Sequence, residues 1–170
     1  MLRILVCILI FICSSSLGFI KAASYKGRTE ELENILELMR LLDMEITYRR
    51  DSLAKAFDNV SESKICWFSH VLKSCSDMLN NRKSLSYSWK HAIAENMERC
   101  PLKEKDLFIL EDISSGLGKS DIDGHKNFIA PIIIRLEANM AEAVEQEKSQ
   151  GRMYRGLGIA AGIVIAVVLI

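Results

Sequence analysis

Proline is nearly missing from this chain, with two in 170 residues, Pro101 and Pro131. That scarcity removes the residue that most often breaks a helix, so long helices are open to most of the sequence. An excess of one charge is missing too: 22 Lys and Arg face 22 Asp and Glu, for a net charge of +0. A neutral chain lacks the footprint of nucleic-acid binding, and no basic cluster is interleaved with aromatics at a binding spacing. Paired cysteine spacings are absent. Of 5 cysteines, Cys7 and Cys13 sit in an apolar stretch, leaving Cys66, Cys75 and Cys100. An odd set cannot close a disulfide framework, which fits a reducing compartment, and without C-x-x-C pairs structural zinc has little support. No low-complexity run, internal repeat or sustained period-two alternation is present, so strands have no pattern to rest on.

What the chain does have is two greasy ends. Residues 4–20 are interrupted only by Ser14, Ser15, Ser16 and Gly18, and lie between Arg3 and Lys21. As a helix rising about 1.5 Å per residue they reach ~26 Å, close to the ~30 Å hydrocarbon core of a bilayer. A basic start and an apolar run also describe a cleaved secretory signal. Against that, the run is long, Phe19-Ile20-Lys21-Ala22-Ala23 is a poor A-x-A site, and Ile12 before Cys13 does not suit a lipoprotein signal. A retained anchor is the reading taken, with an exported helical adaptor, its signal cleaved and its other end anchored, as the alternative.

Residues 157–170 are wholly apolar or Gly. They reach only ~21 Å as a helix, so Arg152, Tyr154 and Arg155 are expected as interface anchors. Gly158 and Gly162 form a G-x-x-x-G pair on one helix face, a spacing that lets helices approach closely in a membrane. Basic residues cluster on the inner flanks, at Lys21, Lys26 and Arg28 and at Lys148, Arg152 and Arg155. The positive-inside rule then puts residues 22–156 in the cytoplasm, whereas a cleaved signal puts them outside. The expected division is a transmembrane segment over 1–21, a soluble helical domain over 22–152 and a second transmembrane segment over 153–170.

The middle holds about 130 residues, enough for one core. Its apolar residues recur with helical spacing. Leu32, Ile35, Leu36, Met39, Leu42 and Ile46 mark a first stripe, with Thr29 as its N-cap ahead of Glu30 and Glu31. Leu53, Ala56, Phe57 and Val60 mark a second after Asp51-Ser52, and Ile65, Phe68, Val71, Leu72, Cys75 and Leu79 a third that ends at Asn80-Asn81. Ser84 caps a fourth with Leu85, Trp89, Ala92 and Ile93, and Pro101 precedes a fifth with Leu107, Leu110, Ile113 and Leu117. A sixth, from about Asp121, carries Phe128, Ile129, Ile132, Ile133, Leu136 and Met140, with Pro131 expected to kink it or restart it. The fold class is all-α: a bundle of about six helices flanked by amino- and carboxy-terminal transmembrane helices.

Motifs with chemical meaning are incomplete. Gly118-Lys119-Ser120 looks like the end of a P-loop, but Ile113 stands where its first Gly belongs and no strand precedes it. Asp121-Ile122-Asp123-Gly124 lacks both end ligands of a calcium loop, which fall on Lys119 and Ala130. The simpler reading is a helix junction: Gly116 and Gly118 end one helix through a positive-φ cap, and Ser120 or Asp121 caps the next. Cys66 and Cys75 fit the apolar stripe, and a Cys-His pair involving His70 has nothing specific behind it. The carboxylates are spread along helix faces beside Lys and Arg, so no catalytic, cofactor or metal residues are assigned and the chain is not read as an enzyme.

Several segments nevertheless form a recognisable set. Glu45-Ile46-Thr47-Tyr48 ends the Leu-rich helix, Leu53 and Ala56 follow, and Trp89 lies in Ser88-Trp89-Lys90. More specific are Leu117-Gly118-Lys119-Ser120-Asp121 and the run from Glu147-Lys148 through Met153-Tyr154-Arg155-Gly156-Leu157-Gly158. Over essentially the whole chain this layout resembles the stage III sporulation protein AB family of endospore-forming bacteria. It departs from the family at His125, where Gln is usual, and at Pro131. The resemblance implies a domain similar to the cytoplasmic domains of the type II secretion and type IV pilus platform protein. It implies a non-enzymatic platform in the mother-cell membrane facing the forespore. The expected partners are a secretion-type ATPase, other membrane proteins of the sporulation trans-envelope complex and membrane lipid, with a homo-oligomer left open.

Overall fold

In a computed structural model, which describes residues 2–49, 52–117 and 122–169, no helix breaker interrupts the start of the chain and the first helix is long. Helix α1 runs Leu2–Met44 and closes in a π-helical turn, Glu45–Arg49. Then come α2 (Leu53–Glu62), α3 (Trp67–Asn80), α4 (Leu85–Glu95), a 3₁₀ turn (Met97–Arg99), α5 (Glu104–Gly116) and α6 (Ile122–Leu169). Every element described is helical. The chain forms two units, one of Glu30–Met140 and one of Met1–Thr29 with Ala141–Ile170. Residues 22–29 and 141–152 thus belong with the ends and not with the bundle.

In the bundle, α2 packs on α3, α3 on α4 and α4 on α5. Ser52 caps α2 by accepting from Lys55 N–H, and Ser84 caps α4 by accepting from Tyr87 N–H, each at 3.4 Å. The core draws Leu32, Ile35, Met39 and Leu42 from α1, Phe57 from α2, Phe68 and Leu72 from α3, and Leu110 and Ile113 from α5. Trp89 of α4 sits among them fully buried, 5.7 Å from the Phe57 ring and 6.1 Å from Phe68. Ile129, Ile132 and Leu136 complete the core from α6.

Two buried carboxylates tie helices together. Glu31 on α1 accepts from the Trp67 and Phe68 N–H groups at 3.4 and 2.9 Å, so α1 caps the start of α3. Asp106, fully buried, accepts from Lys103 N–H at 3.0 Å and from Asn139 Nδ2 at 2.8 Å, joining the start of α5 to α6. At the other end of α3, Arg82 N–H donates to Leu79 O and Lys83 N–H to Met78 O, at 2.9 and 3.2 Å. That is a Schellman closure, and it places Arg82 in the left-handed region at φ 60.

Three local expectations change, and the alternative left open at Pro131 narrows. Thr29 is not an N-cap, because α1 continues through it and its hydroxyl donates to Tyr25 O at 3.2 Å inside the helix. Ile65 is 93 % exposed, since α3 begins two residues later with Cys66 as its cap. No described glycine has positive φ: Gly116 ends α5, and Leu117 at φ −63 closes it with an N–H bond to Ile113 O, so no left-handed residue is needed. No new helix begins at Pro131, which is exposed within a continuous α6.

Among the described residues no helix is long and apolar enough to cross a membrane. Ser14, Ser15, Ser16 and Gly18 interrupt the apolar start and Lys21 follows it, while Lys148, Ser149, Arg152 and Arg155 lie just ahead of the apolar end. The two transmembrane flanks expected from the sequence are therefore not features of the fold as described.

Candidate functional site

A thiol is the strongest nucleophile the bundle could offer, and the surroundings of Cys66, Cys75 and Cys100 all disfavour the thiolate. Cys66 Sγ accepts from Ser69 N–H at 3.4 Å, while Cys66 N–H donates to Ser69 Oγ at 3.0 Å. Burial pushes the Cys66 thiol up, and the Ser69 backbone bond offsets this only in part. Burial alone pushes Cys75 up to about 12, and burial is the main cause of the upward shift at Cys100. A thiol whose pKa is raised is the reverse of an activated nucleophile. Among the described residues no group of three His, Cys, Asp or Glu is placed to hold a metal ion.

The terminal unit has a different character. The first half of α1 and the second half of α6 run antiparallel, with Phe11 beside Gly162, Ser14 beside Gly158 and Tyr25 beside Tyr154. At the centre the backbones nearly touch. A Cβ on Gly18 would lie 2.7 Å from Tyr154 O and 3.0 Å from Gly158 Cα. One on Gly158 would lie 3.0 Å from Gly18 Cα and 3.2 Å from Ser14 O, and one on Gly162 would lie 2.7 Å from Phe11 Cδ2. Ser14 Oγ donates to Gly158 O at 3.1 Å across this contact. Farther along, the Tyr25 and Tyr154 rings stack at 6.0 Å, and Arg28, 2 % exposed, donates to Gln146 Oε1 at 3.2 Å.

Large apolar side chains face the other way. Leu9, Ile12, Leu17, Phe19 and Ile20 are exposed on α1, as are Leu157, Ile159, Ile163, Val164 and Ile165 on α6. Where the backbones meet at Gly18 and Gly158 the hairpin is therefore small inside, and its exposed face is greasy, the inverse of a water-soluble helix pair.

The residues singled out in the sequence fall as follows. Gly158 and Gly162 both face α1. Arg152 is exposed, and Arg155 Nε donates to Gly151 O at 3.3 Å. Tyr154 is half-buried against Tyr25. Gly116 is the last residue of α5, while Gly118, Ser120 and Asp121 lie outside the described residues. The sequence reading missed the partner face. Ser14 and Gly18 are four apart and small, a readable signal that was taken only as interruption of an apolar run.

A family model for stage III sporulation protein AB matches residues 3–170. Stage III sporulation protein AB of Bacillus subtilis (strain 168) is 23% identical over 170 residues, covering 99% of each chain. A solved structure of stage III sporulation protein AB (SpoIIIAB) shares the fold, with a TM-score of 0.68 at 20% identity over 72% of this chain and 98% of that one. With the match running from near the first residue to the last, the chain belongs to the stage III sporulation protein AB family.

Proposed function

We propose that the protein is a non-enzymatic, membrane-attached platform in a secretion-like assembly needed for endospore formation. The glycine-packed hairpin is its membrane anchor, and the bundle docks a cytoplasmic secretion-type ATPase and neighbouring membrane components. The observation that carries the anchor is the hairpin's inversion, with Gly18, Gly158 and Gly162 inside and Leu17, Ile20, Leu157 and Val164 outside. Pairing two short apolar helices spreads the hydrophobic mismatch that either one would meet alone. The docking role rests on family membership and on the raised thiols of Cys66, Cys75 and Cys100, which leave no activated thiol among the described residues of the bundle. The basic inner flanks favour a bundle on the cytoplasmic side, at the mother-cell membrane facing the forespore.

The rival, an exported adaptor with a cleaved signal, fits the hairpin poorly. Cleavage near 22–25 would remove Phe11, Ser14 and Gly18 and leave Gly158 and Gly162 with no facing surface. Alkaline carbonate extraction of sporulating-cell membranes, followed by sequencing of the mature amino terminus, tests the reading. Retention in the pellet with an intact amino end is expected. Release to the supernatant sinks the anchor, and a mature start near 22–25 replaces this reading with the rival.

A further inference from the structure

The bundle carries a cleft that its own packing leaves open. About 460 Å³ lies at the start of α3, walled by Trp67 and Pro101 and bordered by Glu31, His70, Asn96 and Arg99. That volume admits a side chain or two from a partner. Most of the polar lining is already engaged. Glu31 is bonded to the α3 amides, Trp67 Nε1 donates to Asn96 O at 2.8 Å, and Asn96 Nδ2 donates to Ala92 O at 2.8 Å.

His70 and Arg99 differ. Both are exposed, and neither side chain has a hydrogen-bond or ion-pair partner among the described residues. Elsewhere on the bundle Arg40, Lys64, Lys73 and Arg135 each close an ion pair with a carboxylate. Ile65, next in sequence to the cleft, is almost wholly exposed. An unpaired Arg beside a Trp wall and an exposed aliphatic group has the make-up of a protein-binding hot spot. The guanidinium fork suits a carboxylate, which it holds through two parallel bonds. Glu31 in the same wall limits the charge a ligand can bring, because its own carboxylate repels a phosphate dianion more than a single carboxylate.

We propose that this cleft docks a segment of a partner protein that carries an Asp or Glu beside a large apolar side chain. The carboxylate lies on Arg99 with His70 next to it, and the apolar group rests against Trp67 and Pro101 with Ile65 at the edge. The proposal rests on the docking role of the bundle and makes no use of membrane attachment by the hairpin.

The test places photoreactive benzoylphenylalanine at Ile65 of the full-length chain in sporulating cells and maps the crosslinked peptide by mass spectrometry. The same probe at Phe108, exposed on α5, samples a different face. The expected result is an Ile65 adduct within a short acidic and apolar segment of one protein, reduced about tenfold or more by Arg99→Glu. Arg99→Gln, which keeps length and polarity, gives a smaller loss in the same direction, and both variants keep the parent's circular dichroism. Adducts from Phe108 alone overturn the cleft while leaving the docking role standing, and adducts from neither position overturn both. An adduct to lipid, to a basic segment, or one indifferent to Arg99 also overturns the proposal.

Discussion

The Trp89 indole donates its Nε1–H to the backbone carbonyl of Leu110 at 2.8 Å, inside a core where both side chains are fully buried. Helix α4 is thereby locked to α5 by a directional bond as well as by packing. Trp89→Phe keeps a ring against Phe57 and Phe68 but removes that donor and part of the volume. It should cost about 2 kcal/mol, read as a lower urea midpoint with unchanged slope. An unchanged midpoint would show that the bond contributes nothing.

Arg82 occupies a position that favours glycine, at φ 60 in the closure of α3. A side chain in the left-handed region is strained, and glycine there is not. Arg82→Gly should therefore stabilise the bundle by about 1 kcal/mol, while Arg82→Val, β-branched at the same φ, should destabilise it. Thermal unfolding of the pair gives the sign directly.

Glycine content alone does not define the hairpin contact, because Gly156 differs from Gly18 and Gly158. A Cβ on Gly156 meets nothing within 4 Å, whereas at Gly18 it meets backbone at 2.7 Å. Crosslinking of Tyr25→Cys to Tyr154→Cys by a short bifunctional thiol reagent, in a chain otherwise free of cysteine, reports the pairing of residues whose native rings lie 6.0 Å apart. Adding Gly18→Val or Gly158→Val should reduce that crosslink several-fold, and Gly156→Val should leave it intact. Equal effects at all three positions would refute close helix approach.

The Cys75 thiol, with an ordinary value of 9.0 and a buried one of about 12, links stability to alkaline pH. Its folded value is raised, so the contribution is fully present below pH 9 and is lost as pH climbs toward 12. Wild-type stability should fall over that window more steeply than Cys75→Ala, by about 1 kcal/mol per pH unit. Parallel pH profiles would contradict the burial of this thiol.

Much of the bundle was legible because its signals are local. Ser52 and Ser84 cap the helices they precede, and the Phe57, Phe68 and Trp89 stripes follow helical spacing into the core. The features that were not legible depend on distant partners. Thr29 has the chemistry of a cap, but nothing around it breaks α1, so its hydroxyl turns back onto Tyr25 O. Glu31 reads as one of several surface acids until the fold brings the start of α3 to it. Gly158 and Gly162 were visible as a pair, yet their facing surface at Ser14 and Gly18 lies at the opposite end of the chain. Trp67 and His70 are three apart on α3, but nothing in the spacing ties Arg99 to them, since the 3₁₀ turn and the first turn of α3 meet only in space.

The reach of Glu31 across to Phe68 also sets a direction for opening. A helix end ordinarily frays because its first amides have only water to bind. In α3 those amides are held by a side chain from another helix, so the usual weak end is the pinned one. Deuterium should therefore enter α3 from the Asn80 side first, and the Phe68 amide should exchange only when α1 itself lets go.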